Sequence, residues 1–142
     1  MNSKNNIQIL LGRDGIISAY EKSLEAKSLD IICLSQNYAR VLGEWFDKSY
    51  VPKLFKSEIK TREILGDNAD NRSYASKKDK QKNQVAFLFD DVKNETDFIV
   101  SDDFVILVSF NPNNPFAIVI DDKETIAGMK SKFEIIWNSA LK

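Results

Sequence analysis

The run Leu29-Asp30-Ile31-Ile32-Cys33-Leu34 limits the fold most. It is nearly continuous in apolar character and β-branched at Ile31 and Ile32, the pattern of a central strand covered on both faces. Such a strand needs a layer on each side, and the flanking residues supply one. Ile7-Gln8-Ile9-Leu10-Leu11 is a shorter β-type run, closed by Gly12-Arg13-Asp14-Gly15. Ile16, Tyr20 and Leu24 then recur every four residues, opposite Glu21, Lys22, Glu25 and Lys27, which predicts an amphipathic helix. A β-α-β opening follows, and with it an α/β domain.

Ser35-Gln36-Asn37 is placed to cap a second helix whose apolar face carries Tyr38, Val41, Leu42, Trp45 and Phe46; Pro52 starts a further helical segment. Ile59–Leu65 reads as a strand. From Gly66 to Gln84 the chain is polar, with the Lys-rich stretch Lys77–Lys82, and reads as a solvated surface loop with one helical turn; a lid or a partner-contacting segment is the alternative. The second half is β-rich. Val85–Phe89, Thr96–Val100, Phe104–Phe110 and Phe116–Ile120 are four strands whose short connectors imply antiparallel neighbours. Asp121 and Glu124 then form a capping-box-like pair before a helix with the apolar stripe Ile126, Met129, Phe133, Ile136, Trp137 and Ala140. That stripe must cover the sheet or pair with another chain.

Composition excludes several functions. The 142 residues suit one domain with its own core. There are 20 basic against 21 acidic side chains, so the chain lacks the clustered positive charge that grips phosphates, and DNA contact is expected from elsewhere. Zero histidines rule out Ser-His-Asp triads, His-ligated zinc and phosphohistidine chemistry together. Cys33 stands alone, which excludes an intramolecular disulfide and a cysteine metal cluster. No run reaches the roughly 18 apolar residues of a membrane span, and the polar start lacks a secretory core, so the expected location is the cytoplasm.

Blocks at both ends of the chain carry a resemblance. Leu10-Leu11-Gly12-Arg13-Asp14-Gly15-Ile16-Ile17 with Tyr20 and Leu24 resembles the opening of the effector domain of TrmB-type transcription regulators. Asp102–Leu107, Phe116–Asp122 and Phe133-Glu134-Ile135-Ile136-Trp137 are similar to its ending, and Tyr50-Val51-Pro52 with Ile59–Ile64 to its middle. The resemblance implies half of a phospholipase-D-like fold: a mixed β-sheet flanked by helices, with a β-α-β opening, antiparallel strands in the second half and a C-terminal helix. It also implies a homodimer paired around a shared cleft that a small ligand could occupy. In the family a winged-helix domain precedes this region. Here the resemblance begins within the first dozen residues, so DNA is reached only through a separate or missing winged helix.

The family's enzymes carry His-x-Lys-x-x-x-x-Asp. In the equivalent segment here Glu95 replaces His and Asp97 replaces Lys, while Asp102 remains. Without the nucleophile and the phosphate-binding cation, phosphodiester cleavage by this route is lost. The expectation is therefore a non-catalytic effector, ligand-sensing or dimerisation domain needing no cofactor or metal. Its rivals are a metal-assisted hydrolase on Asp97 and Asp102 and a free-standing interaction module.

Six residues are candidates for a ligand site. Ser35 and Gln36 follow the central strand, where α/β sheets open a crevice. Arg62 lies mid-strand on the face of Ile64, held by an acidic turn or by a ligand. Glu95, Asp97 and Asp102, with Asp103 and the upstream Asp90 and Asp91, form the densest carboxylate group, as turn formers or as a cation site. Trp45, Phe46, Phe133 and Trp137 are read as core by their helical spacing.

Overall fold

A computed structural model describes residues 6–89 and 94–142. Its strands are β1 (Ile7–Leu11), β2 (Ser28–Cys33), β3 (Lys60–Gly66), β4 (Asn83–Leu88), β5 (Thr96–Val100), β6 (Val105–Ser109) and β7 (Phe116–Ile120). The helices are α1 (Gly12–Ser23), α2 (Tyr38–Leu42), α3 (Val51–Lys56), α4 (Ala69–Ser76) and α5 (Lys123–Ser139), with a π-helical turn at Phe46–Tyr50 leading into α3. The strands form one mixed sheet in the order β1-β7-β6-β5-β2-β3-β4.

β1, α1 and β2 make the expected opening. Four antiparallel steps separate β1 from β2, so the two run the same way with β7, β6 and β5 between them. Two glycines shape the first turn. Gly12 sits at φ +74°, which L side chains rarely adopt, and its N–H donates to the Pro115 carbonyl at 2.8 Å. Gly15 lets α1 press on β1, since a Cβ there would stand 2.4 Å from the Leu10 carbonyl carbon.

The antiparallel strands of the second half are β5, β6 and β7. The segment expected at Val85–Phe89 differs: β4 lies parallel to β3 on the opposite edge from β1, so its connector to β5 is not a hairpin. Asp90 and Asp91, which fall in that connector, lie outside the described residues.

Side chains alternate between two faces. One carries Ile31, Cys33, Glu63, Leu65, Asp97, Ile99 and Val108, and packs with α1 and the α2–α3 segment around the buried Ile16, Tyr20, Leu42, Tyr50 and Phe110. The other carries Ile32, Ile64, Ala86, Phe98 and Val105 beneath the α5 stripe, where Phe133 is fully buried. The stripe thus covers the sheet. Its cap falls one residue later than expected: Asp122, not Asp121, accepts from the Thr125 N–H at 3.0 Å and hydroxyl at 2.7 Å.

The polar stretch 66–84 is also more ordered than its composition suggests. It holds α4, capped by Asn68, whose side chain accepts from the Asn71 N–H at 2.9 Å. Lys78 is buried against Glu63, and Lys82 ties down the end of α3 through the Phe55 carbonyl at 2.8 Å and the Ser57 carbonyl at 2.5 Å. Among the described residues, no helix is long and apolar enough to cross a membrane.

Candidate functional site: a tyrosine-walled cleft

The parallel strands β2 and β3 end together at Cys33 and Leu65. Past that end the chain turns away into α2 on one side and α4 on the other, and the space between is a cleft of about 850 Å³. Tyr20, Tyr38, Tyr50 and Tyr74 line it together with Phe46, Ser35 and Gln36. The rings pack in a chain: Tyr38 stacks on Phe46 at 4.4 Å between centroids, Phe46 on Tyr50 at 5.3 Å, and Tyr20 meets Tyr50 edge-on at 4.9 Å.

β5 delivers two carboxylates to this wall. Glu95 Oε2, just before the strand, accepts from the Ser35 hydroxyl at 2.8 Å and the Gln36 backbone N–H at 3.0 Å. Ser35 therefore joins β2 to β5. It also accepts from the Asn37 N–H at 3.0 Å in a local turn, while no side chain caps α2 itself. Asp97, one pleat further along, is 2% exposed and accepts from the Tyr20 and Tyr38 hydroxyls, the latter at 2.7 Å. Burial pushes its carboxyl up to about 6, against the opposing pull of the two tyrosines, Ser35 and Cys33. The same burial, reinforced by the Asp97 charge, raises the phenols of Tyr20 and Tyr38 well above their usual range and does likewise to the Cys33 thiol. All three stay protonated at neutral pH.

The floor contains a charge pair that sequence reasoning missed. Glu63 and Lys78 form an ion pair with side chains 4% and 1% exposed, and the Tyr74 hydroxyl donates to Glu63 Oε1 at 3.1 Å. Glu63 had one visible signal, its alternation with Thr61 and Leu65 on the face opposite Arg62 and Ile64. Lys78 had none, because nothing in a run of lysines marks the one that is buried.

Of the six candidate residues, four meet here: Ser35, Gln36 and Glu95 by direct hydrogen bonds, and Asp97 behind the tyrosines. Two lie elsewhere. Arg62 is on the opposite face, bidentate to Asp30 at 2.9 Å on each oxygen and bonded to Glu134 at 2.5 Å, with its guanidinium 5.0 Å from the Phe133 ring centroid. Its ion pair is with a strand and a helix residue, not with an acidic turn. Asp102 is at the far end of β5, paired with Lys130 of α5. Asp97 and Asp102 therefore stand toward opposite ends of β5, with separate partners. Among the described residues no group of three potential ligands is arranged to hold a metal.

This architecture is a phospholipase-D-like fold. The archaeal chromatin protein TrmBL2 superposes with a TM-score of 0.63 at 18% identity over 100% of this chain, which spans 56% of TrmBL2. NucT from Helicobacter pylori superposes with a TM-score of 0.64 at 19% identity, over 95% of this chain and 97% of its own. The phospholipase D family member Nuc from Salmonella typhimurium gives 0.58 at 13% identity, over 94% and 95%. At these identities the likeness is one of fold. No protein-family model and no curated protein sequence matches the chain.

Proposed function

We propose that this chain is a non-catalytic effector domain of a transcription regulator, one that binds a small ligand in the tyrosine-walled cleft and associates as a homodimer. The observation that supports it most is the state of β5. Where the phospholipase-D-like enzymes place His and Lys, Glu95 and Asp97 are committed to hydrogen bonds with Ser35, Gln36, Tyr20 and Tyr38. A carboxylate so engaged repels an incoming phosphodiester and offers neither a nucleophile of the phosphohistidine type nor a cation. With a net charge of -1, the domain reaches DNA through a winged helix outside it.

The expected result with a chromogenic phosphodiester and with duplex DNA, each with Mg²⁺ and Mn²⁺, is no turnover. Turnover that Asp97→Asn abolishes would replace the effector reading with the residual-hydrolase one. Association has support at one corner of the sheet. Ile9 and Leu11 are 65% and 70% exposed on the α5 face, beside the half-buried Ile118 and Phe116. Open apolar surface of this kind marks contact sites. Light scattering should give twice the monomer mass, and Ile9→Lys should shift the population toward the monomer.

A further inference from the structure

We infer that the cleft takes an organic cation: an ammonium group carried on a hydrocarbon body. The inference rests on the reading of the cleft as a ligand site and adds the chemistry of the ligand.

Three observations converge. The first is the wall. Tyr38 and Phe46 line the cleft half-buried, with Tyr20 and Tyr50 packed behind them, and ring faces carry the negative end of the aromatic quadrupole. The second is charge. Asp47 and Asp70 stand exposed at the rim, and among the described residues neither Lys nor Arg lines the cavity. In the floor the charge of Glu63 is matched by the buried Lys78.

The third is the direction of the hydroxyl protons. Tyr20 and Tyr38 donate to Asp97, Ser35 donates to Glu95, and Tyr74 donates to Glu63. A hydroxyl has one proton, and these four are spent on carboxylates behind or beneath the wall. What each hydroxyl has left to offer a further partner is its lone pairs. At these hydroxyls a phosphate or carboxylate ligand would meet acceptors where it needs donors. An ammonium group would meet acceptors, π-faces and net negative charge.

Calorimetry at physiological salt with three five-carbon probes tests this on the intact chain: cadaverine as the cation, pentane-1,5-diol as the neutral form and glutarate as the anion. Saturable binding of cadaverine at one site per chain, with no heat from the other two, is the expected result. Phe46→Leu should weaken it by about threefold through loss of a ring face. The exposed rim variant Asp70→Lys, which does not threaten the core, should weaken it by about tenfold. Glu124→Lys, exposed on α5 away from the cleft, should leave it unchanged. Binding of the diol or glutarate in place of cadaverine would overturn the cation and leave a ligand site. Absence of saturable heat from all three would overturn both. Equal weakening by Asp70→Lys and Glu124→Lys would also overturn the inference, because it would reduce the effect to bulk charge.

Discussion

Asp97 shows how a charged group is accommodated in the core. A buried carboxylate without partners would be untenable, and here two tyrosine hydroxyls make it tolerable. The residual strain is visible in its titration. The folded carboxyl binds its proton up to about pH 6, whereas an unfolded aspartate releases it near 3.8. Between these values the folded chain holds more protons, so stability falls as pH rises through the window, by about 3 kcal/mol in all. Asp97→Asn removes this loss, and its melting temperature should gain on the parent's steadily from pH 4 to pH 7; a constant difference would refute the assignment. The Glu63–Lys78 pair is the opposite case, two charges that justify each other. Lys78→Met leaves Glu63 buried with only Tyr74 and should cost about 3 kcal/mol in urea unfolding, most of it recovered in the double variant Glu63→Leu/Lys78→Met.

At the scale of elements, the contact of α1 with β1 is set by glycine. Gly15→Ala drives a methyl into backbone that cannot rotate away and should destabilise by about 3 kcal/mol. Gly128 on α5 is the internal control, since a Cβ there meets nothing within 4 Å. Gly128→Ala should stabilise by about 0.5 kcal/mol, because alanine gives up less freedom on entering a helix. The pattern of these elements was legible because each strand and helix writes its burial into sequence as a period of two or of about three and a half. α4 was not legible. It buries no residue fully and its apolar positions are too sparse to show a period, so its existence depends on the Asn68 cap and on neighbours distant in sequence. The placement of β4 was likewise hidden, because a run such as Val85–Phe89 does not encode which edge it joins.

For the whole molecule, 20 basic and 21 acidic side chains leave a net charge of -1. By itself the domain should give no electrophoretic shift of duplex DNA at physiological salt; a shift lost on neutralising Lys77, Lys80 and Lys82 would revise that view. The chain's own sequence determined the alternation of strand and helix, the covered central strand and the absence of histidine chemistry. These are local or compositional properties, readable without knowing what touches what. Tertiary structure alone decided that Glu95 and Asp97 would meet Ser35, Gln36, Tyr20 and Tyr38 at the end of β2, that Arg62 and Asp102 would serve α5 instead, and that one lysine of six consecutive polar residues would be buried against Glu63. The physical reason is that each partnership joins residues distant in sequence, from the 15 positions between Glu63 and Lys78 to the 77 between Tyr20 and Asp97, or crosses from one face of the sheet to another helix. Periodicity reports which side a residue faces. Who stands opposite is fixed only when the strands are ordered.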